Sequence, residues 1–285
     1  MSQSEQHYIM NQNLIEEMVR LNRQGHIITE GMGGVFPELS SHDVSSAHDI
    51  LDLACGPGEW AMHVAQEYPE KRVVGVDISA RMIEYATVQA RAAHLPAEFR
   101  VMDILAHPLD FPDNSFDIVN IRMIFGFMNK ERWQQLLKEC QRILRPGGLV
   151  RVTETERGLY NHTVFEQYMD MWTHALFASG LSLSSDGTHY GTATVMKRLL
   201  REAGYHDVHH ASYAIDFSAG EKAHDSIFDD CLLALDVGKP FLLKMGTSQK
   251  LLEDVGMQLR EVRQQTDFCA YWLMFTNWGY SPRLG

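Results

Sequence analysis

The segment Leu51-Asp-Leu-Ala-Cys-Gly-Pro-Gly-Glu-Trp60 is the most informative part of the sequence about the fold. Its glycines, Gly56 and Gly58, lie where a predicted strand turns sharply into a helix, and they let the backbone approach a ligand that any Cβ would displace. The spacing Gly56-x-Gly58-x-x-Ala61 is also compatible with a dinucleotide-binding loop. The acidic residue Asp77, about 20 residues further on, fits such a loop but does not by itself identify the ligand. The loop therefore predicts a ligand site after the first strand but leaves the ligand open.

Residues 49–153, which include this loop, alternate short β-branched runs with longer helical segments. This alternation is typical of a parallel sheet wound with helices. A helix predicted at Glu131–Leu144 carries one apolar stripe that can pack on the sheet, and Arg145-Pro-Gly-Gly148 ends it. The predicted strands are Asp49–Ala54, Arg72–Val76, Phe99–Met102, Phe116–Ile121 and Leu149–Thr153.

Two segments do not continue the alternation. Residues 1–46 contain an amphipathic helical pattern and are predicted to form a helical lid. An insertion at about residues 155–192 is dense in aromatic residues and is predicted to cap the substrate. Residues 47–285 would then form one α/β domain that carries this insertion. Its remaining predicted elements are helices at Ala193–Ala203, Glu221–Leu235 and Ser248–Gln264 and strands at Val208–Phe217 and Phe268–Thr276.

The composition describes an acidic globular chain. Of its 285 residues 45% are apolar, and 25 Lys+Arg stand against 37 Asp+Glu, so the net charge is −12. This charge opposes binding to a phosphate backbone, and we expect no nucleic-acid partner. No apolar run approaches the ~18–20 residues of a membrane span, and the first residues lack a secretory pattern. We therefore expect a cytoplasmic protein without a membrane span.

The cysteines are scattered along the chain without zinc-binding spacing. We expect Cys55, Cys140, Cys231 and Cys269 to be reduced and buried, and we expect no bound metal.

Five segments together resemble the motifs of class I S-adenosylmethionine-dependent methyltransferases, in that family's order. They are Asp52-Leu-Ala-Cys-Gly-Pro-Gly58, Val73-Val-Gly-Val-Asp-Ile-Ser79, Val101-Met-Asp-Ile104, Phe116-Asp-Ile-Val119 and Leu144-Arg-Pro-Gly-Gly-Leu149. The pattern is most similar to the small-molecule branch that includes ubiquinone and menaquinone C-methyltransferases. The resemblance implies a Rossmann-like α/β fold, with a seven-stranded, mostly parallel sheet, helices on both faces, an antiparallel last strand and a helical cap.

The resemblance also implies which residues bind S-adenosylmethionine and its product S-adenosylhomocysteine. Asp77 would accept hydrogen bonds from both ribose hydroxyls, because a carboxylate has two oxygens for two vicinal donors. Asp103 would accept from the exocyclic amine of adenine. The predicted cofactor-binding residues are Asp52, Ala54, Cys55, Gly56, Pro57, Gly58, Trp60, Asp77, Ile78, Met82, Met102, Asp103, Ile104, Asn120, Ile121 and Arg122.

The methyl acceptor should bind beyond the carboxyl ends of the strands, where open α/β sheets hold their ligands. Methyl transfer from a sulfonium is a displacement on an already activated group, so the protein mainly positions the reactants and a strong base is optional. As catalytic residue we predict His189, because an imidazole on a glycine-flanked turn can be exposed to a cleft. The predicted substrate-pocket residues are Tyr8, His26, Phe125, Trp172, His174 and Tyr190, with Phe36 and Phe127 as further candidates.

Simpler explanations exist for most of these residues. The Gly-Pro-Gly loop can be a tight turn, and Asp77 can be a neighbour of the helix cap Ser79. Asp103 lies at the end of a predicted strand, where an aspartate can simply stabilise the following turn. The aromatic residues of the insertion can be the core of the cap, since a helix laid on a domain must bury one face.

Two further clusters of polar residues carry no predicted function. His209 and His210 would point to opposite faces of a strand, so they are not expected to share a metal ion. The acidic residues after the strand at Val208–Phe217 are predicted to form one solvated helix face. They are Glu221, Asp225, Asp229 and Asp230.

The leading hypothesis is a methyltransferase that acts on a small, hydrophobic or aromatic metabolite as a monomer or homodimer. An NAD-dependent oxidoreductase is an alternative, but it needs Ala61 in place of the third glycine and does not explain Asp103. A protein of the same fold that binds the cofactor without methylating is another. Methylation of a macromolecule is a third, and the negative charge opposes RNA as that target. Whether O, N, C or S is methylated stays open.

Overall fold

A seven-stranded sheet forms the centre of the computed structural model, which describes residues 15–283. Its strands are β1 Asp49–Leu53, β2 Arg72–Asp77, β3 Ala97–Val101, β4 Phe116–Arg122, β5 Leu144–Tyr160, β6 His206–Asp216 and β7 Ala270–Tyr280. They lie in the order β3-β2-β1-β4-β5-β7-β6. Strands β1 to β5 pair in parallel, and β7 is antiparallel to both β5 and β6. The predicted mostly parallel sheet with an antiparallel last strand is confirmed.

Helices cover the sheet and form a cap at one end of it. They are α1 Ile15–Met32, α2 Ser41–Ser46, α3 Glu59–Glu67, α4 Ala80–Ala92, α5 Lys130–Ile143, α6 Thr163–Ala178, α7 Thr192–Glu202, α8 His224–Lys244 and α9 Gln249–Val262. No helix within residues 15–283 is both long enough and apolar enough to cross a membrane.

Helix α5 shows how the pattern of residues produces this packing. Asn129 caps its first turn by accepting from the Arg132 N–H, which satisfies one of the free donors at a helix start. Trp133, Leu136 and Cys140 are fully buried because they recur at spacings of three and four on the side that faces the sheet. The helix predicted at Glu131–Leu144 is therefore confirmed to within one residue.

Two elements run longer than predicted. Strand β5 continues from Thr153 to Tyr160, because β7 supplies backbone partners on one side as far as Tyr160. Helix α8 starts at His224 and passes through Pro240 to Lys244, well beyond Leu235, because its continuation still buries apolar side chains such as that of Leu242. In both cases contacts with distant segments extend the element, and the local sequence propensity does not predict such contacts.

The cap is built from helices that are far apart in the chain. Helix α1 contacts α8, β6 and α3, while α6 packs against α8 and α9. Their buried side chains share one apolar cluster that includes Ile28, Phe165, Phe228 and Leu259. The predicted lid boundary at residue 46 stays a prediction, but the described part of the N-terminal segment is packed into this cluster.

The structure corrects two statements about exposure. The predicted solvated helix face is wrong for three of its four acidic residues: Glu221 precedes α8, Asp229 is half-buried, and Asp230 is only 8% exposed, because Arg20 and Gln24 of α1 cover its carboxylate. The four cysteines are free as predicted, but Cys269 is exposed and Cys55 is only half-buried.

Candidate active site

The loop after β1 opens onto a cleft at the carboxyl ends of the parallel strands. Ala54, Gly56 and Gly58 have φ angles of 55°, 53° and 80°, so the chain reverses through left-handed conformations that favour glycine. A Cβ placed on Gly56 would meet no atom within 4 Å. The backbone at Gly56 therefore leaves room for a ligand beside the start of α3.

Gly58 has a different role from Gly56. A Cβ at Gly58 would lie 2.6 Å from Phe99 Cε1 and 2.9 Å from Ala86 Cβ, so this glycine lets α3 start close to β3 and α4. Gly58 is a packing position and does not line the cleft.

Most of the predicted cofactor residues line this cleft. Besides Gly58, the ones that do not line it are Asn120 and Ile121, which are fully buried in β4. Those that line it are Asp52, Ala54, Cys55, Gly56, Pro57, Trp60, Asp77, Ile78, Met82, Met102, Asp103, Ile104 and Arg122.

Asp77, at the end of β2, is tied to the loop that it faces. Its Oδ2 accepts from the Gly56 N–H at 2.9 Å, and its Oδ1 accepts from the Ser79 N–H at 2.8 Å. Burial raises the pKa of Asp77, and these backbone donors oppose the rise. Since a carboxylate oxygen can accept two hydrogen bonds, each Asp77 oxygen keeps acceptor capacity for a ligand in the cleft.

Asp52, on β1, is held from behind by a buried chain of polar side chains. Asn120 Nδ2 donates to Asp52 Oδ1 at 2.8 Å, and Arg151 Nη1 donates to Asn120 Oδ1 at 2.7 Å. Arg151 also forms an ion pair with Glu38, in the segment before α2. Burial raises the pKa of Asp52 to about 7, although the hydrogen bond from Asn120 acts against this rise. Asn120 thus positions Asp52 and is itself shielded from the cleft.

Glu59, in the first turn of α3, joins the cleft to α1. Arg122 Nη2 donates to Glu59 Oε2 at 2.7 Å, and Arg122 Nη1 donates to Thr29 Oγ1 at 2.8 Å. His63 Nδ1 lies 2.8 Å from Glu59 Oε1. Burial alone would raise the pKa of Glu59, but the partners His63 and Arg122 bring it below its ordinary value, and Glu59 in turn raises the pKa of His63.

The same two side chains form a possible metal-ligand group with His26. The ligand-type atoms of His26, Glu59 and His63 lie within 4.8 Å of one another. The His26 side chain is 58% exposed, and Glu59 is already neutralised by Arg122. Ion pairing accounts for this cluster without a metal ion.

A second cavity adjoins the cleft. Leu21 and Gln24 of α1 and Met123, just after β4, line both. Aromatic side chains dominate the walls of this cavity, which we call the aromatic cavity: Phe125, Tyr160, Phe165, Tyr168, Trp172, Tyr190, Phe217 and Trp272.

Met123 marks the boundary between the cleft and the aromatic cavity. Its φ of 57° lies in the left-handed region, which costs a non-glycine residue about 1–2 kcal/mol. The Met123 N–H is held by the Thr153 carbonyl at 2.9 Å. Backbone strain of this kind clusters at functional sites, and here it turns the chain out of the sheet between the two cavities.

Two carboxylates on one face of β5 hold the loops that carry Phe125 and Tyr190. Glu154 accepts from the backbone N–H groups of residues 124 and 125, at 2.9 and 3.4 Å. Glu156 accepts from the N–H groups of residues 190 and 191, at 2.7 and 2.9 Å. The rings of Phe125 and Tyr190 meet with centroids 4.4 Å apart. The wall of the aromatic cavity therefore depends on polar groups behind it.

The predicted substrate-pocket residues divide into two groups. Phe125, Trp172 and Tyr190 line the aromatic cavity. His26 and His174 are exposed and face separate surface grooves. Phe127 lines the cleft instead, Phe36 packs edge-on against Trp60, and Tyr8 lies outside the described residues.

His189 does not line either cavity, although its neighbour Tyr190 does. Its Nδ1 lies 3.2 Å from Ser184 Oγ and 3.1 Å from Thr188 Oγ1, within its own loop. Its catalytic role stays a prediction, and these contacts are those of a residue that stabilises the loop.

Sequence reasoning did not single out the polar end of the aromatic cavity. Arg20, Gln24 and Asp230 line it, and no local motif surrounds them. The aromatic density of residues 160–177 was a usable signal for Tyr160, Phe165 and Tyr168. The ion pair between Arg20 of α1 and Asp230 of α8 has no local sequence signal, because its two residues are more than 200 positions apart in the chain.

Comparison with known proteins assigns this arrangement to a family. A family model described as a methyltransferase domain matches residues 50–148. The demethylmenaquinone methyltransferase of Listeria welshimeri is 35% identical over 115 residues, which are 40% of this chain and 48% of that protein. The chain thus spans about half the length of this curated relative. The demethylmenaquinone methyltransferase of Lactobacillus johnsonii is 30% identical over 175 residues, 58% of this chain and 70% of that protein.

The chain belongs to the class I S-adenosylmethionine-dependent methyltransferases. This confirms the family predicted from the five motifs and S-adenosylmethionine as the methyltransferase's cofactor. Among solved structures, the YcgJ protein from Bacillus subtilis superposes with a TM-score of 0.51 at 15% identity, over 86% of this chain and 100% of that one. At this identity the likeness shows that the two share a fold.

Proposed function

We propose that this methyltransferase binds S-adenosylmethionine in the cleft and transfers its methyl group to a small, largely aromatic or hydrophobic acceptor in the aromatic cavity. One observation carries the proposal: a separate, aromatic-walled cavity shares a wall with the cleft. Cavities that are mostly apolar with few polar groups are typical sites for small organic ligands.

For the cofactor, the fit rests on acceptor groups and open backbone. The Asp77 oxygens each accept one backbone N–H and can each accept a ribose hydroxyl as well. One oxygen of Asp103 accepts from the Leu105 N–H at 2.9 Å, and the carboxylate keeps capacity for the adenine amine. The open space at Gly56 admits the rest of the ligand. Bound there, the cofactor supplies an electrophilic methyl group.

The chain's own residues mainly position the acceptor and exclude water. The aromatic walls bury the acceptor, and Met123, Leu21 and Gln24 bring it against the cleft. Holding two reactants in line supplies much of the rate enhancement for a displacement of this type. No residue is therefore assigned as an obligatory base.

Binding of S-adenosylhomocysteine, measured by calorimetry, tests the cleft. We expect Asp77→Ala to weaken binding by about 100-fold or more, because it removes charge-assisted hydrogen bonds of roughly 1.5–3 kcal/mol each. Asp110→Ala, which changes an exposed aspartate on a neighbouring loop, should leave the affinity unchanged. Equal affinities for Asp77→Ala and the unsubstituted protein would contradict the assignment of the cleft.

A cavity-filling substitution tests the aromatic cavity. Ala234, 5% exposed on α8, lines it, so Ala234→Phe should block the acceptor while S-adenosylhomocysteine still binds. The control Ala178→Phe adds the same bulk at an exposed position on α6. The readout is S-adenosylhomocysteine formed when the protein and S-adenosylmethionine are incubated with phenols, quinols and arylalkylamines. Failure of all these classes, or turnover unaffected by Ala234→Phe, would count against the proposal.

The comparisons do not favour the oxidoreductase alternative. The relatives from Listeria welshimeri and Lactobacillus johnsonii are both named as methyltransferases. Methylation of a macromolecule would need an acceptor residue that can enter an aromatic cavity enclosed by α1, α6 and α8.

A further inference from the structure

The aromatic cavity ends at a buried cluster of charged groups. Arg20 binds Glu17 with two hydrogen bonds, Nε to Oε2 at 2.7 Å and Nη2 to Oε1 at 2.8 Å. Its remaining nitrogen, Nη1, donates to Asp230 Oδ1 at 2.9 Å. The side chains of Glu17, Arg20 and Asp230 are 0%, 5% and 10% exposed.

Among residues 15–283, this cluster contains two carboxyl groups and one guanidinium. When both carboxyl groups are ionised, these described groups carry one more negative than positive charge. The described charged residues that line the aromatic cavity are Arg20 and Asp230, and Arg20 is already bound to carboxylates. Burying net charge is costly unless a partner of opposite sign is present. The cavity is therefore better matched to a cationic ligand than to an anionic one.

The aromatic walls of the cavity also favour a cationic ligand. Aromatic faces carry a negative quadrupole and attract cations within about 6 Å of the ring centroid, by roughly 2 kcal/mol when water is excluded. Rings such as those of Tyr168 and Trp172, which meet edge to face with centroids 6.4 Å apart, line the cavity together. A phenolate or carboxylate acceptor would meet repulsion from both the rings and Asp230.

One hydrogen bond links the charged cluster to the boundary with the cleft. Gln24 Nε2 donates to Asp230 Oδ2 at 3.0 Å, and Gln24 lines both cavities. Both oxygens of Asp230 thus accept one protein donor and keep capacity for a second.

We propose that the methyl acceptor is an amine and that the aromatic cavity, with Asp230 at its charged end, binds the ammonium that methylation produces. This inference rests on the proposed function and specifies its substrate class. An acceptor that is an ammonium in water first loses one proton to water. The lone pair of the resulting neutral amine nitrogen then forms the new N–C bond while the C–S bond breaks and its electron pair stays on sulfur. The positive charge moves from sulfur to nitrogen, no oxidant is needed, and any extra N–H proton of the product leaves to water after release.

The cavity stabilises the transition state of this methyl transfer more than it stabilises the bound neutral amine. An amine N–H can donate to Asp230 in the neutral acceptor, and the bond becomes charge-assisted as positive charge develops on nitrogen. Cation–π attraction grows in the same direction. Interactions that strengthen toward the transition state are the ones that accelerate a reaction.

Two probes of the same shape test the proposal in the full chain loaded with S-adenosylhomocysteine. Phenyltrimethylammonium is cationic, and tert-butylbenzene is its neutral isostere. Ligand-observed NMR titration, below the solubility of the neutral compound, gives both affinities. We expect the cation to bind at least about 10-fold more tightly, a preference that corresponds to about 1.4 kcal/mol. Equal binding, tighter binding of the neutral probe, or binding of neither would overturn the inference.

A matched pair of variants assigns the preference to Asp230. Asp230→Asn should reduce the cation preference several-fold, whereas Asp236→Asn, at an exposed position on the same helix α8, should leave it unchanged. A cation preference that is fully retained in Asp230→Asn would overturn the role of this residue. Because the two probes are first compared in the unsubstituted protein, the test does not depend on how well a variant folds. If S-adenosylhomocysteine itself fails to bind, the proposed function fails; if it binds and the cation is not preferred, the amine inference alone fails.

Discussion

The buried side chain of Glu154 predicts how the free energy of unfolding depends on pH. Its side chain is 1% exposed, and its two acceptor contacts are backbone N–H groups that carry no charge. Burial raises the pKa of Glu154 from 4.5 to about 8, against the opposing effect of these donors. The folded protein therefore keeps the proton over a pH range in which the unfolded chain releases it.

The sign and size of the effect follow from this difference. A raised carboxyl pKa means that the contribution of the group to stability is fully present below pH 4.5 and is lost as the pH rises to about 8. At about 1.4 kcal/mol per pKa unit, the free energy of unfolding should fall by about 5 kcal/mol over this window on account of Glu154. Glu154→Gln cannot ionise and should lack this loss.

The glutamine variant has its own cost. Its carbonyl can accept from one backbone N–H, but its amide group faces the other, so it should be less stable than the unsubstituted protein at pH 5 by about 1–3 kcal/mol. That deficit should shrink with rising pH and reverse before pH 9. Urea denaturation followed by tryptophan fluorescence from pH 5 to 9 measures both profiles, and Glu84→Gln, exposed on α4, is the control. Parallel profiles for Glu154→Gln and the unsubstituted protein would refute the reasoning.

Two further predictions concern the loops around the site. Gly58→Ala places a Cβ 2.6 Å from Phe99 at a φ of 80°, so it should lower the free energy of unfolding by about 2–4 kcal/mol; a loss below about 1 kcal/mol in urea denaturation would show that Phe99 yields easily. Glu156→Ala removes the acceptor of the N–H groups of Tyr190 and Gly191, so hydrogen exchange of these amides should speed up about 10-fold or more while residues 124 and 125 stay protected. Unchanged exchange at Tyr190 would mean that Glu156 does not hold the loop.

The parallel strands and the cofactor cleft could be predicted from the sequence because their causes are local. Val73, Val74 and Val76 are all buried in β2, and a strand covered on both faces shows a continuous apolar run. The left-handed turn at Gly56 requires a residue that tolerates positive φ, so it leaves a glycine in the sequence. Asp77 is the last residue of β2, so it lies at the carboxyl end of the sheet beside the cleft. Each of these features is visible within about ten residues.

The acceptor side could not be predicted in the same way because side chains from distant segments assemble it. Asp230 and its half-buried neighbour Asp229 look alike in the sequence, yet Asp230 is buried because Arg20 reaches it from α1. His189 and Tyr190 are adjacent, but only Tyr190 faces the aromatic cavity, since Glu156 fixes the loop by its backbone. Exposure of a loop or helix residue depends on tertiary partners, and a single sequence does not encode them in any short pattern.

Gln24 shows that the two cavities are not independent. Its side chain lines both the cleft and the aromatic cavity, and its amide holds Asp230. Arg20, one turn earlier on α1, holds the other oxygen of the same carboxylate. A shift of α1 therefore changes the wall of the cleft and the charge presented to the acceptor together. A ligand in the cleft that moves Gln24 should therefore also alter the hydrogen bond to Asp230, so that binding in one cavity changes the affinity of the other.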